Sequence, residues 1–168
     1  MNIKALHSIS YGLYVVTSKK NGKFNGQIAN TIFQAASKPV IVAVCINKQN
    51  LTHEYINSSK VFAASILSKD TPLSFVGQFG FKSGRDVNKL ENVNFKIGKT
   101  GAPIVLDYSL AWIEVKVTGK LDVNSHTIFV GEVVDSDILM EGEPMTYAYY
   151  QLVKRGGTPK TAPTHTEG

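Results

Sequence analysis

Residues 28–53 read IANTIFQAASKPVIVAVCINKQNLTH, and they contain an uninterrupted apolar run from Val40 to Ile46. Because the run is apolar at every position, it favours a strand buried on both faces in a sheet or barrel wall. A buried strand does not need many hydrogen-bonding side chains at its two ends, whereas a polyanionic or heteroaromatic ligand does. The pattern therefore predicts a ligand site at the polar residues around the run, which are Asn30, Thr31, Gln34, Ser37 and Lys38 before it and Asn47, Lys48, Gln49, Asn50, Thr52 and His53 after it.

The rest of the chain has the pattern of antiparallel strands joined by short turns. Asn21-Gly22 predicts a hairpin turn after a first strand at 11–18, because both residues accept positive φ. Thr71 is expected to cap a helix that starts at Pro72. Further strands are predicted at 24–33, 61–67, 109–119 and 126–138, and short helices at 51–57, 72–80, 87–90 and 147–153. This order predicts a mainly β fold closed into an antiparallel barrel, because closure removes sheet edges.

Length, charge and composition narrow the class of protein. The 168 residues fit one domain with a sizeable core, and a net charge of +5 permits an anionic ligand. The basic residues are scattered, so no nucleic-acid partner is expected. Cys45 is the single cysteine, which excludes an internal disulfide and a zinc site built from cysteines. No apolar run approaches the ~20 residues that a membrane span needs, and the N-terminus lacks a signal-peptide core, so we expect a cytoplasmic protein.

The sequence contains no motif for a catalytic nucleophile or a nucleotide phosphate loop. Gly-x-Ser-x-Gly, the Walker loop and a Gly-x-Gly-x-x-Gly helix start are all absent. The histidines His7, His53, His126 and His165 lie far apart in sequence, so no protein metal site is expected. A redox or group-transfer activity would therefore need a cofactor to carry the chemistry.

The loop Ser83-Gly84-Arg85-Asp86, followed by Lys89, is a candidate anion site. Ser83 offers a hydroxyl, Gly84 allows close approach of the backbone, and Arg85 and Lys89 supply positive charge suited to a phosphate. The alternative is a surface loop in which Arg85 pairs with Asp86, and the residues alone leave both interpretations open.

Three other polar or aromatic groups have two interpretations each. The amides of Asn30 and Gln34, with Thr31 between them, suit the edge of a heterocycle but could instead satisfy backbone groups at a strand end. Residues 47–52 open a helix, where free amides favour an anion, but Asn50 could simply cap that helix. His126 and the tyrosines of 147–150 could lie at a pocket mouth, or could serve the core.

The order and spacing of these segments resemble those of the flavin reductase-like, FMN-binding split-barrel proteins. The resemblance is greatest to the branch that includes flavoredoxin, archaeal ferric reductase and the flavoprotein module of high-molecular-weight rubredoxin. It runs from about Tyr11 to Thr164 and includes the terminal segment 153–164. The motifs that carry it are Asn-Thr-x-x-Gln (30–34), Pro-Val-Ile-Val-Ala-Val-Cys-Ile-Asn-Lys (39–48), Asn-x-Thr-His (50–53), Phe-Gly-Phe-x-Ser-Gly-Arg-Asp (79–86), His-Thr-x-Phe-x-Gly-Glu-Val (126–133) and Met-Thr-Tyr-Ala-Tyr-Tyr (145–150).

This resemblance implies a split barrel over residues 1–155 and a tail, 156–168, that crosses to the partner in a homodimer. It also implies non-covalent FMN that accepts hydride from NAD(P)H and passes electrons to free flavin, a ferric complex or a rubredoxin-like protein. The alternative is an electron-transfer flavoprotein reduced by a protein partner without direct use of NAD(P)H. The chain has no Cys-x-x-Cys rubredoxin module, so we expect any rubredoxin partner to be a separate protein.

The site residues that the resemblance implies fall into three groups. Asn30, Thr31 and Gln34 would lie along the flavin, and Ser83, Gly84, Arg85 and Lys89 would hold its phosphate. Cys45, Ile46, Asn47, Lys48, Asn50 and Thr52 would lie close to its ring, ribityl chain or phosphate. His126 and Tyr149 would face the substrate, while no side chain acts as a catalytic acid or base.

Overall fold

The computed structural model describes residues 1–165, which form nine strands, three α-helices and a short 3₁₀ helix. The last three residues of the expected tail lie outside the described part. The strands are β1 (Tyr14–Lys20), β2 (Lys23–Ala29), β3 (Ile32–Ser37), β4 (Val40–Asn47), β5 (Val61–Leu67), β6 (Phe95–Ile97), β7 (Pro103–Val105), β8 (Ser109–Val123) and β9 (His126–Ile138). The helices are α1 (Leu51–Ser59), α2 (Leu73–Gly80), α3 (Tyr147–Leu152) and the 3₁₀ helix Ile3–Ser8.

Seven strands form one antiparallel sheet in the order β2-β1-β5-β8-β9-β4-β3. Its edge strands, β2 and β3, are separated in sequence by Asn30 and Thr31 alone. The sheet must therefore curve until its two edges come close. The Cys45 N–H of β4 donates to the Thr31 carbonyl across 3.1 Å, which extends the β3–β4 pairing into the connection from β2. The prediction of a mainly β, antiparallel barrel is confirmed.

The barrel wall contains the apolar run that defines β4. Val44 and Ile46 are fully buried there, together with Phe62 and Phe129 from neighbouring strands. Each such side chain contributes roughly 1.5–3 kcal/mol through burial of apolar surface. A second core outside the barrel packs α2 against β1 and includes Phe79. The prediction that β4 is a buried strand is confirmed.

The hairpin and strand predictions hold with one correction. Asn21 and Gly22 have φ of +50° and +73°, and they join β1 to β2 as predicted. The single strand predicted at 24–33 is wrong, because the chain leaves one edge of the sheet at Asn30 and joins the other edge at Ile32. Alternation alone does not reveal such a change of strand partner.

The helix predictions need two corrections. Thr71 does not cap α2, because its hydroxyl donates to the Ser68 carbonyl at 2.6 Å and Pro72 occupies the cap position. The helix predicted at 87–90 is a turn, in which Asn88 Oδ1 accepts a hydrogen bond from the Leu90 N–H. Such local side-chain bonds compete with helix formation.

Strands β6 and β7 were not predicted, since three residues are too few to produce a recognisable alternation. They pair with each other and pack Ile104 against Trp112 of β8. Among residues 1–165, the helices are all too short or too polar to cross a membrane.

Candidate functional site

A cavity of about 530 Å³ lies between β2, the start of α1, α2 and the C-terminal tail. Residues from several separate parts of the chain meet there because the strand ends and the loop after α2 open on the same side of the barrel. The predicted residues that line it are Asn30, Cys45, Asn47, Asn50, Thr52, Ser83, Gly84, Arg85 and Lys89. The structure thus brings both halves of the predicted site, the strand ends and the later loop, into one cavity.

The side chains of four predicted residues lie elsewhere. Thr31 donates to Asn30 Oδ1 at 2.9 Å, and the exposed Gln34 donates to the Ala36 carbonyl at 3.2 Å. Ile46 is 0% exposed in the barrel core. Lys48 turns to Asp122, with Nζ 3.7 Å from Oδ1. These four residues belong to the predicted site, but they do not line the cavity.

The cavity lining is positively charged. Its charged side chains, as far as the structure describes the chain, are Lys82, Arg85, Lys89 and Lys160, without a carboxylate among them. Lys89 is only 5% exposed. Burial lowers the pKa of its ammonium group from 10.5 to about 8, because an ion loses hydration in the protein interior. An anion in the cavity would compensate this buried charge.

Arg85 is positioned by its own loop and by the start of α1. Its N–H donates to Ser83 Oγ at 3.1 Å, and its Nη1 donates to the Gln49 carbonyl at 3.1 Å. Its Nη2 also lies 3.6 Å from Glu54 Oε2. The alternative in which Arg85 pairs with Asp86 is not what the structure contains, so the guanidinium lies beside the cavity rather than folding back on its own loop.

The first turn of α1 completes this end of the cavity. Asn50 occupies the cap position, but its side chain makes no capping hydrogen bond. The capping alternative for Asn50 is therefore wrong as far as its side chain is concerned. Asn47 Oδ1 instead accepts from the Gln49 N–H at 2.9 Å and fixes the turn before the helix. Helix N-termini with uncapped amides favour anions.

Two polar residues of β2 that the sequence did not single out also line the cavity, Asn25 and Gln27. Asn25 Nδ2 donates to Thr52 Oγ1 at 2.8 Å and connects β2 to α1. A Cβ at Gly84 would collide with Asn25 Oδ1, so the loop requires glycine to approach β2 this closely. The sequence signal that could have identified them is the occurrence of two polar residues, Asn25 and Gln27, at alternate positions of a predicted strand.

The residues expected to face the substrate lie outside the cavity wall. His126 Nε2 donates to the Thr161 carbonyl of the tail. Tyr149 has Lys69 Nζ above its ring, 5.4 Å from the centroid. Of the neighbouring tyrosines, Tyr147 and Tyr150 line the cavity instead. The Cys45 thiol also lines it, and burial raises its pKa, which keeps the thiol protonated.

The C-terminal tail forms one wall of the cavity through residues 157–163. Tyr150 donates from its hydroxyl to the Gly157 carbonyl at 2.9 Å. Asn30 Nδ2 donates to Thr164 Oγ1 at 2.8 Å. The tail therefore folds over the cavity of its own chain, and the composition of residues 156–164 alone did not reveal where it would lie.

Comparison with known proteins agrees with this geometry. A family model described as "Flavin reductase like domain" matches residues 6–156. The chain belongs to this family. The prediction of a flavin reductase-like oxidoreductase is confirmed, and solved flavin reductase-type oxidoreductases have the same mainly antiparallel barrel.

Two relatives match over nearly all of this chain. High molecular weight rubredoxin of Moorella thermoacetica is 53% identical over 168 residues, which are 100% of this chain and 73% of the relative. Ferric-chelate reductase (NAD(P)H) of Archaeoglobus fulgidus is 49% identical over 167 residues and 99% of both chains. The FMN-binding protein of Thermus thermophilus, solved with p-hydroxybenzaldehyde, superposes with a TM-score of 0.72 at 25% identity, over 79% of this chain and 74% of its own.

Proposed function

We propose that the protein is an FMN-dependent oxidoreductase that takes reducing equivalents from NAD(P)H. It passes them to free flavin, a ferric complex or a rubredoxin-like protein. The observation that carries the proposal is the cavity of about 530 Å³, whose charged lining is cationic among the described residues. This lining belongs to a flavin reductase-like chain, and the Archaeoglobus fulgidus relative is described as using NAD(P)H.

The residues present fit FMN at two ends of the cavity. Arg85 and Lys89, with Ser83 and the first turn of α1, would hold the terminal phosphate, whose charge matches that of two cations. The side chains of Ile28 and Tyr147, which are partly exposed, line the same cavity and suit a flat aromatic ring. The cation pair of Arg85 and Lys89 suits the terminal phosphate of FMN and so supports FMN as the flavin, and the Thermus thermophilus neighbour is described as FMN-binding.

FMN, when bound, supplies hydride and electron transfer, so the protein needs no nucleophile of its own. The chain itself would bind FMN and exclude water from the cavity. Lys89 and Arg85 balance the charge of the phosphate, and Asn30 fixes the tail over the cavity through Thr164. The raised pKa of Cys45 keeps a reactive thiolate away from the cofactor.

A double substitution tests the phosphate site. Arg85→Ala with Lys89→Ala removes charge-assisted hydrogen bonds of roughly 1.5–3 kcal/mol each, so the Kd for FMN is expected to rise at least ~100-fold. Lys4→Ala with Lys23→Ala removes the same charge from exposed positions and serves as the control. FMN affinity that is unchanged in the Arg85 and Lys89 double variant would place the phosphate elsewhere. The spectrum and mass of the ligand that co-purifies identify the flavin directly.

The second candidate is an electron-transfer flavoprotein that a protein partner reduces. The 53% identity to high molecular weight rubredoxin favours it, because the name of that relative points to a rubredoxin as the redox partner. Anaerobic stopped-flow mixing with NADH and with NADPH separates the two candidates. Bleaching of the flavin absorbance by either nucleotide supports the reductase. If neither nucleotide bleaches the flavin, the carrier is supported.

A homodimer is part of the same proposal. The end of β9 exposes Ile138 at 76%, and Leu139 and Met140 follow at 38% and 51%. Apolar side chains that protrude in this way favour contact with a second copy. Sedimentation velocity at micromolar concentration tests the dimer, and a purely monomeric protein would contradict it. A cytoplasmic location stays a prediction.

A further inference from the structure

Gln27 lies in the middle of β2 and lines the cavity. Its Oε1 is buried and accepts no hydrogen bond from any described residue. Its Nε2 donates to the Ile28 carbonyl at 3.3 Å, which is long for an amide donor. Gln27 is thus a cavity residue whose amide is only weakly held by the protein.

Such an unsatisfied acceptor is costly to the protein that contains it. Buried polar groups are nearly always hydrogen-bonded, and an apolar side chain of similar shape would avoid the penalty at this position. Asn25, two residues earlier on the same face of β2, does find a partner in Thr52. The difference indicates that the partner of Gln27 is not among residues 1–165 of this chain.

The position of Gln27 along β2 limits what that partner can be. Asn25 marks the phosphate end of the cavity, since it contacts Thr52 and lies against Gly84. A strand rises about 3.3 Å per residue, so Gln27 lies roughly 7 Å farther along, away from the phosphate residues. The part of FMN that follows its phosphate is the ribityl chain, which carries three hydroxyl groups.

We propose that Gln27 is a flavin-binding residue whose Oε1 accepts a hydrogen bond from a ribityl hydroxyl. This inference rests on the proposed function. The terminal torsion of a glutamine side chain is broad, so the amide can turn toward the ligand at little cost and give up its long bond to Ile28. Because a hydroxyl also accepts, a second ribityl hydroxyl can satisfy Nε2 in place of the Ile28 carbonyl.

The test measures the dissociation constants of FMN and of riboflavin, which lacks the phosphate, for the full-length protein. Gln27→Met keeps the length of the side chain and removes the acceptor. It is expected to raise both constants by the same factor, about tenfold, as for the loss of one hydrogen bond. Lys89→Met is expected to raise the constant for FMN alone. The two ligands therefore separate a ribityl contact from a phosphate contact.

The melting temperature of the flavin-free protein is the second readout. Gln27→Met removes an unsatisfied buried group, so its flavin-free form is expected to melt at the same temperature as the wild type or higher. Trp112→Phe is the control, because Trp112 Nε1 is also buried without a partner in the described structure but lies outside the cavity. It is expected to leave both flavin constants unchanged.

Each result decides one point. Wild-type affinity of Gln27→Met for both ligands would overturn the inference, as would a rise in the FMN constant alone. A lower flavin-free melting temperature with unchanged affinity would make Gln27 a purely structural residue. If Gln27→Met does not fold, Gln27→Asn, which withdraws the amide by one methylene, is used in the same comparison. A wild-type protein that binds neither ligand would refute the proposed function itself.

Discussion

His126 Nε2 donates a hydrogen bond to the carbonyl oxygen of Thr161 across 3.1 Å. A carbonyl only accepts, so this bond places a proton on Nε2, and Nδ1 then accepts from Ser125 Oγ at 2.9 Å in the neutral ring. The first residue of β9 is thereby tied to a residue that lines the cavity. The sequence predicts His126 on the substrate side. In this structure its side chain instead holds the tail through Thr161.

Replacing His126 is expected to loosen the tail. His126→Ala removes a neutral hydrogen bond, which contributes about 0.5–1.5 kcal/mol, so cleavage by trypsin at Lys160 is expected to accelerate up to about tenfold. Release of bound FMN is expected to accelerate with it, because residues 157–163 form a cavity wall. Ser125→Ala, which keeps the bond to Thr161, is the control. Equal cleavage rates in wild type and His126→Ala would contradict the tether.

Lys89 is expected to make the stability of the flavin-free protein depend on pH. Its pKa falls from 10.5 to about 8 on folding because of burial. Between these values the unfolded chain binds the extra proton, so the free energy of unfolding rises as pH increases from 8 to 10.5. The difference corresponds to roughly 3 kcal/mol. In urea titrations, Lys89→Met should have a higher free energy of unfolding than the wild type at pH 7 and should show no rise between pH 8 and 10.5. The control Lys4→Met should show the same rise as the wild type.

The same lysine is expected to control the pH dependence of FMN binding. The phosphate is a dianion above its second pKa near 6, so the charge that changes above pH 8 is that of Lys89. The Kd for FMN is expected to rise up to about tenfold per pH unit above 8 in the wild type. Fluorescence titrations of Lys89→Met should give weaker binding that does not vary over this range. A wild-type Kd that is constant from pH 7.5 to 9.5 would exclude this role.

Sequence pattern and structure agree where local rules decide the outcome. The turn at Asn21-Gly22, the buried strand β4 and the placement of Asn47 and Thr52 at the cavity follow from φ preference, apolar patterning and the strand-to-helix junction. Gln34 is different. It belongs to the same motif as Asn30, but the change of sheet edge between β2 and β3 turns it to the surface.

The sequence pattern does not reveal which polar residues are buried or which distant segments of the chain contact each other. Lysine is rarely buried, so nothing in the local sequence marks Lys89 as 5% exposed. The contribution of β2 to the cavity depends on contact between Asn25 and the distant loop at Gly84, which is a tertiary event. The path of the tail depends on its partners His126 and Asn30, which lie far away in sequence.

Adding a methyl group at Gly84 is expected to open the phosphate end of the cavity. A Cβ there would overlap Asn25 Oδ1, so Gly84→Ala should push the loop away from β2 and raise the Kd for FMN about tenfold or more. Gly77→Ala is the matched control, because a Cβ at this position in α2 meets nothing within 4 Å. It should stabilise the protein by up to about 1 kcal/mol and leave the Kd unchanged. Wild-type affinity in Gly84→Ala would mean that the close approach to β2 is not needed.

Glu114 is expected to support the fold rather than the cavity. Its carboxylate is 0% exposed and accepts from the Lys99 N–H at 2.9 Å and from the Thr100 N–H and hydroxyl at 2.9 and 2.6 Å. Glu114→Gln presents an amide donor to groups that are themselves donors, so the free energy of unfolding should fall by roughly 2–4 kcal/mol. Glu132→Gln, at an exposed position of β9, makes the same chemical change without these partners.

The comparison of these two glutamate variants by thermal denaturation and FMN titration separates stability from binding. Glu114→Gln should melt at a lower temperature than Glu132→Gln and should still bind FMN with wild-type affinity at temperatures where it is folded, because Glu114 does not line the cavity. Melting temperatures that are equal in the two variants would show that the buried carboxylate does not anchor the turn at Lys99 and Thr100. Loss of FMN affinity in the folded Glu114 variant would connect that turn to the cavity.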